Sequence, residues 1–595
     1  MIRLSQDQIQ NKIDYIQHYI NSTNAANGSK LDANANVTSK NLATLSAEIN
    51  KDINIQVNRT LVSNKITELF GIELAEEYNR QIESHEIYIH DETSLMPYCT
   101  SINMWSFLEK GLTDLGGESA APKHLSSFCG SFVNLVFAVS SQFAGAVATV
   151  EFLMYFDYFA RKDYGDNYLD THAYEVANHL QHVVYAINQP AAARGYQSVF
   201  WNISIYDRPY FEAMFGNFSF PDKDCTKPTY EGLHGLQKFF MKWINKEREK
   251  SILTFPVITS ACLTTDEGLV DSDYEDFVAQ EYAEGNSFFT FMSKNAHALS
   301  SCCRLKNDVS DSINDFSYSL GAGGVATGSI NVITINYNRL VQDGRSIKEQ
   351  VDKIHKYQIA YRALIEDYQA GGLLNVYDAG FISLDKQFLT IGVNGMVEAA
   401  EYLNLEISNN EPYTSWVSDQ LKQIADLNSA KAKETGYKFN TEFVPAENLG
   451  VKFAKWDKAD GYQVLRDCYN SYLYLVEDES ISVLDKFALH GSETSQFLDG
   501  GSAYHCNLET TPNAEAFKKL FKVAAKEGCE YFCFNVKITI CNECGTIDKR
   551  TLTSCPKCGS TDIDYGTRVI GYLKRVSAFS SDRQAEAALR HYHVS

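Results

Sequence analysis

Apolar positions fall into three regimes along the chain. At the N-terminus they recur with helical spacing. Ile2, Leu4, Ile9, Ile13, Ile16 and Ile20 form a loose stripe. Residues 21–39, rich in Asn, Ala and Ser, read as a loop. Leu42, Leu45, Ile49 and Ile53, then Ile66, Leu69 and Phe70, resume the helical pattern as far as Glu83. From about residue 85 to 540, short apolar runs alternate with helical segments. Residues 87–89, 199–205, 252–258, 332–335 and 531–538 are examples, punctuated by Gly, Asn and Ser. This predicts an α/β fold around a mostly buried sheet, open or closed. Residues 407–441 are polar and charged and read as surface helix and loops. The most apolar stretch, 132–156, is interrupted by Asn134, Ser140, Ser141, Gln142 and Glu151. A membrane span wants ~20 mostly apolar residues, so a buried helix is expected there.

Composition narrows the function classes. With 53 Lys and Arg against 75 Asp and Glu, the formal charge is −22. That balance argues against broad binding to nucleic acid or to anionic membranes, both of which want clustered cations. Apolar residues at 44% and charged residues at 22% are ordinary for a globular chain and exclude a disordered or fibrous one. The start, Met1-Ile-Arg-Leu-Ser-Gln-Asp-Gln, has no apolar leader segment, so a cytoplasmic location is expected. The 14 cysteines then read as thiols and metal ligands rather than a disulfide framework.

Chemistry concentrates near the C-terminus. Cys541-Asn-Glu-Cys544-Gly and Cys555-Pro-Lys-Cys558-Gly are two CxxC knuckles separated by ten residues. Each knuckle turns two thiolates toward one ion, and four together close a structural zinc site with no open position. Beyond it runs Arg568-Val-Ile-Gly-Tyr572, in which Gly571 alone reads as a turn or bulge glycine. Ser581 with Gln584 spells a capping box. Ala585, Ala588, Leu589 and Tyr592 would then form the apolar face of a short terminal helix.

The ribbon, the Arg568-Val-Ile-Gly-Tyr572 loop and the terminal helix together resemble the C-terminus of the class III (anaerobic) ribonucleoside-triphosphate reductase large subunit, a glycyl radical enzyme family. Four further segments follow in matching order: Ile87-Tyr-Ile-His-Asp91 with Pro97-Tyr-Cys99, Ser301-Cys-Cys-Arg-Leu305, Val332-Ile-Thr-Ile-Asn336 and Val444-Pro-Ala-Glu-Asn-Leu449. The resemblance implies an α/β barrel of ten strands with a central finger loop, a zinc ribbon and a glycyl radical loop. The expected parts are an N-terminal helical region (1–84) without a complete ATP-cone, a barrel (85–535), a ribbon (536–565) and the radical loop with terminal helix (566–595).

The resemblance also implies residue roles. Gly571 falls on the radical glycine, and Cys303, preceding Arg304, on the thiyl cysteine, with Cys302 as the alternative. Cys99 is the partner thiol and Glu447 a candidate acid/base for the departing 2′ hydroxyl. Ser329, Asn331 and Asn448 lie in segments expected beside the substrate. Formate-using members carry Asn where this chain has Ser329, which favours a thioredoxin-like redoxin over formate as reductant. An S-adenosylmethionine- and iron–sulfur-dependent activase, dNTP and ATP effectors and a homodimer are implied in the same way, the helical stretch 132–158 being a candidate for the dimer interface. The alternatives are a pyruvate formate-lyase-like acyltransferase and a non-catalytic zinc-ribbon paralogue.

Overall fold

The computed structural model describes residues 3–31, 36–37, 39–191, 196–296, 298–301, 305–308, 326–443 and 448–594, with 298–301 and 305–308 as backbone only. The N-terminal helices are α1 (Gln6–Asn21), α2 (Leu42–Ile49), α3 (Lys51–Phe70) and α4 (Ile72–Glu83). In α1 the expected isoleucine stripe is not the packed face. Ile9, Ile13 and Ile20 are exposed, whereas Tyr15 and Tyr19 are buried. The tyrosines turn inward because their hydroxyls find partners, the Gly28 carbonyl at 3.0 Å and Thr44 Oγ1 at 2.7 Å.

The body is one sheet curled into a ring. Five strands run parallel: β1 (Cys99–Ser101), β2 (Val147–Ala148), β3 (Trp201–Tyr206), β4 (Val257–Thr265) and β5 (Phe289–Ser293). The second half comprises β6 (Thr327–Asn336), β7 (Gln387–Asn394), β8 (Lys438–Phe443), β9 (Gly501–Ser502), β10 (Tyr504–Leu508) and β11 (Tyr531–Val536). The halves meet in antiparallel seams, β6 against β1 and β11 against β5. The strand path begins at β9 and ends at β10, which are interrupted only at Ala503; counted as one, they reduce the eleven strands of the path to ten, five in each half, while the short strands Ile87–Ile89 and Gly268–Leu269 pair off it. The expected α/β barrel is therefore present.

Three expectations need correction. The 132–156 stretch is not one helix. It contains the end of α5 (Leu125–Ser140), strand β2 and the start of α6 (Phe152–Tyr164). Among the described residues no helix is long and apolar enough to cross a membrane. Within 252–258 the strand starts only at Val257. The preceding carbonyls are taken by side chains, Leu253 and Pro256 by Arg248 and Phe255 by Asn188. The polar segment 407–441 supplies α8 (Glu411–Thr435), which packs beside α7 (Ile347–Ala370), but it also supplies most of barrel strand β8.

Side-chain contacts show which face of β8 is which. Phe439 packs on His355 of α7 at 4.6 Å between ring centroids, and Thr441 Oγ1 accepts from Asn428 of α8 at 3.0 Å. Alternation turns Asn440 and Glu442 away from the helices, into the ring. Register carries this face sideways, pairing Asn440 with Thr390 and Thr390 with Val332.

Glu151, fully buried at the start of α6, accepts from the Met104 amide at 2.9 Å. Burial raises its carboxyl from 4.5 to about 8. Between those values the folded chain keeps a proton that the unfolded chain has lost, so this group's contribution to stability falls as pH rises from about 4.5 to about 8. Glu151→Gln is expected to lose that component. Its stability relative to the parent, measured by urea denaturation, should improve steadily across that window, and a pH-independent difference would refute the assignment.

Candidate functional site

Cys99 opens β1 with 2% of its surface exposed and pairs directly with Ser329 on β6. Gly145 lets the neighbouring chain approach this point, since a Cβ there would lie 2.8 Å from the Tyr98 carbonyl oxygen. Ser329 Oγ lies 2.8 Å from Thr390 Oγ1. Cys99, Ser329 and Thr390 thus share the wall that faces the lumen. Asn331 does not join them. A bulge between Ser329 and Asn331 shifts the register, and Asn331 pairs with Leu389, which pairs with Phe439 on the helix-facing side. Asn448 is the N-cap of the helix Leu449–Ala459. Cys302, Cys303 and Glu447 lie outside the described residues. The backbone flanking the two cysteines is a hairpin, Ala298–Ser301 against Leu305–Asp308, with Ser301 opposite Leu305. It follows β5 and runs alongside β3, β4 and β5.

The ribbon is a four-stranded antiparallel sheet of β12 (Ile538–Cys541), β13 (Ile547–Asp548), β14 (Ile563–Thr567) and β15 (Lys574–Arg575), in the order β13-β12-β14-β15. Cys541, Cys544, Cys555 and Cys558 bring their sulfurs within 4.8 Å of one another. Gly545 and Gly559, at φ 71° and 77°, make the turns that close the knuckles. Four convergent thiols with no other donor fit a tetrahedral zinc ion holding structure rather than performing chemistry.

Gly571 sits in the connection between β14 and β15, whose base is the Thr567–Lys574 pair. The loop is therefore carried on the ribbon's own sheet. Its surroundings are barrel residues at the N-terminal ends of β3 to β5. Tyr572 packs on Phe200 and Phe255 at 5.1 and 5.7 Å, and the Arg568 guanidinium covers Phe289 at 4.7 Å. Arg568, 1% exposed, donates to the Gly571 carbonyl at 3.1 Å and to Ser287 Oγ at 3.1 Å. Asn535 of β11 grips the same residue from both sides, accepting from the Arg568 amide at 3.1 Å and donating to its carbonyl at 3.2 Å. Arg248, donating to the Ser287 carbonyl at 2.7 Å, secures the floor. Burial, aided by the charge of Arg568, pulls its guanidinium down to about 9.

The terminal helix α9 (Ser581–Leu589) differs from expectation in two ways. Its N-cap is Ser580, not Ser581, and Gln584 reaches the Phe579 carbonyl at 2.7 Å instead of closing a capping box. Its packed face is the charged one. Arg583, Glu586, Ala587 and Arg590 are buried, while Leu589 is 62% exposed and Ala585 and Ala588 are exposed too. Arg590 explains the inversion. It donates to the carbonyls of Val569 at 2.8 Å and Arg568 at 3.3 Å, and to Glu586 at 2.8 Å. Sequence reasoning missed Arg568, Asn535, Arg248 and Arg590 as functional. The available signals were the place of Arg568 in the motif before Gly571 and the i,i+3 and i,i+4 spacing of Arg583, Glu586 and Arg590.

A ring of two five-stranded halves, a hairpin that follows β5 and flanks paired cysteines, and a glycine loop carried on a four-cysteine ribbon define the class of protein. Comparison with known proteins agrees. Residues 47–593 match the family model of the anaerobic ribonucleoside-triphosphate reductase, and the chain belongs to that family. The enzyme of that name from Escherichia coli (strain K12) is 26% identical over 191 residues, which cover 30% of this chain and 26% of that protein. The Salmonella typhimurium enzyme is 27% identical over 191 residues, with the same shares. The aligned stretch thus spans about a quarter of the curated relatives' length. Among solved structures, an anaerobic ribonucleotide reductase superposes with a TM-score of 0.85 at 26% identity, covering 99% of this chain and 93% of that one. The Thermotoga maritima anaerobic ribonucleotide reductase in complex with dATP and CTP gives 0.82 at 27% identity, covering 98% and 100%. Membership of this family sets aside the acyltransferase alternative.

Two measurements test the site's construction. One equivalent of zinc per chain is expected by elemental analysis. The double variant Cys541→Ser, Cys555→Ser should lose it and show faster hydrogen exchange across residues 566–575. Arg590→Met should cost about 3 kcal/mol in chemical denaturation, because it leaves the buried Glu586 carboxylate with only the longer Arg583 contact and the Val569 carbonyl without its side-chain donor. Leu589→Ser, on the exposed face of the same helix, should stay within about 0.5 kcal/mol.

Proposed function

We propose that this chain reduces ribonucleoside triphosphates to 2′-deoxyribonucleoside triphosphates by glycyl and thiyl radical chemistry, with dNTP control of substrate choice. The observation that carries this reading is the fastening of Gly571 by Arg568 against the barrel strands. Without a Cβ, glycine allows close approach of its Cα to a sulfur, and hydrogen transfer needs reactants pre-aimed at short range. Burial protects a stored radical from side reactions.

In this reading a radical on Gly571 takes the thiol hydrogen of Cys303, and the thiyl so formed takes the 3′ hydrogen of the ribonucleotide. The 2′ hydroxyl leaves as water after protonation, for which Glu447 is the candidate acid. Two electrons and two protons must then reach the sugar, and Cys303 returns the 3′ hydrogen, which restores the thiyl. Cys99 is the proposed thiol that starts that delivery, a role its pairing with Ser329 on the lumen wall supports. Ser329, where formate-using members have Asn, supports a thioredoxin-like redoxin as the ultimate reductant. Ser329 and Asn448 are proposed substrate contacts; the register of Asn331, on the helix-facing side, weakens its case. The activase, using S-adenosylmethionine and an iron–sulfur cluster, supplies the radical in trans. A Thermotoga maritima relative has been solved with dATP bound in the specificity site, which supports dNTP effectors here. A homodimer and a cytoplasmic location belong to the same proposal.

Electron paramagnetic resonance after anaerobic incubation with an activase and S-adenosylmethionine tests it. A glycyl doublet is expected in the parent and absent in Gly571→Ala. Cys303→Ser should keep the doublet and form no deoxynucleotide. Silence in the parent with a competent activase would overturn the reading.

A further inference from the structure

Asn440 takes no part in the reading above, yet its side chain is the most anomalous polar group on the barrel wall. The residue has 0% of its surface exposed, and neither its amide nitrogen nor its amide oxygen has a hydrogen-bond partner. A buried primary amide left wholly unpaired costs the desolvation of two strong hydrogen-bonding groups. Such a residue is retained where something else satisfies it.

Its position suggests what that is. Asn440 faces the lumen, because its neighbours Phe439 and Thr441 contact α7 and α8 on the other side. Register sets it beside Thr390, whose hydroxyl meets that of Ser329, and Ser329 lies opposite Cys99. One polar band therefore runs from Cys99 across four strands to Asn440. Adjacent strands lie about 4.8 Å apart, so the band spans roughly 14 Å of curved wall and less across the lumen, about the reach of one nucleoside. Gly500 on the far side leaves room for the amide, since a Cβ there would come within 3.2 Å of the Asn440 amide carbon.

We propose that Asn440 is a substrate-binding residue whose carboxamide pairs with the vicinal hydroxyls of the ribose. A carboxamide offers one acceptor and a pair of donors side by side, and a cis-diol answers both, since each hydroxyl gives and accepts. This inference rests on the reductase reading and adds to it a contact that distinguishes ribonucleotide from product, which lacks one of the two hydroxyls.

The test is calorimetric titration of the full chain with CTP and with 2′,3′-dideoxyCTP, for the parent and for Asn440→Leu. The parent should prefer CTP. In the leucine variant that preference should shrink about tenfold, the ordinary loss for one buried hydrogen bond to a ligand. The free variant should melt at the same temperature as the parent or higher, because an apolar group of similar shape replaces an unpaired amide. If the leucine does not fold, Asn440→Ala carries the same titration. An unchanged preference, or a melting point lowered by several degrees in both variants, overturns the assignment. A parent that binds neither nucleotide strikes the reductase reading itself, which separates the two failures.

Discussion

A sheet that closes on itself has no free edge, but it creates an interior that must be filled, and here much of the inner wall is polar. The closure rests on two antiparallel seams and on the single extended segment that serves as β9 on one side of Ala503 and β10 on the other. Remove that segment and the path opens between β8 and β11, exposing Thr390 and Asn440 to bulk water. The proposed chemistry presupposes the seal, since a stored radical and an unpaired buried group alike need an interior from which solvent is excluded.

The glycine loop meets the barrel as part of another structure. Because Thr567 and Lys574 pair in the ribbon sheet, the six residues between them cannot shift without moving β14 and β15. The barrel grips the loop by Asn535 and the Phe289 ring, and the terminal helix grips it by Arg590. Three independent elements therefore converge on one short backbone segment, and each contributes hydrogen bonds to groups that would otherwise be buried unpaired.

The α/β class and the four-cysteine ribbon were legible because each rests on spacing, which sequence displays directly; the further segments were legible only through their resemblance to a known family. What escaped was chemistry with no periodic signature. Strand β8, reading Lys-Phe-Asn-Thr-Glu-Phe, looked like surface because its inward residues are Asn440 and Glu442, polar for the sake of the lumen. The 132–156 stretch looked like one helix because both its helices and the two-residue strand β2 between them are buried, and burial erases the alternation that distinguishes them. Arg568 and Arg248 could not be ranked above other arginines until their distance to Ser287 and Phe289 was known.

The inverted polarity of α9 has a consequence for how the tail behaves when it is not docked. On leaving its berth the helix uncovers Ala587, with Phe579 and Tyr592 at its two ends, and releases guanidinium and carboxylate groups that water solvates readily. Detachment is then opposed by a few specific polar contacts more than by a broad hydrophobic seal. Such a fastening is built like a latch, strong in one geometry and weak in every other.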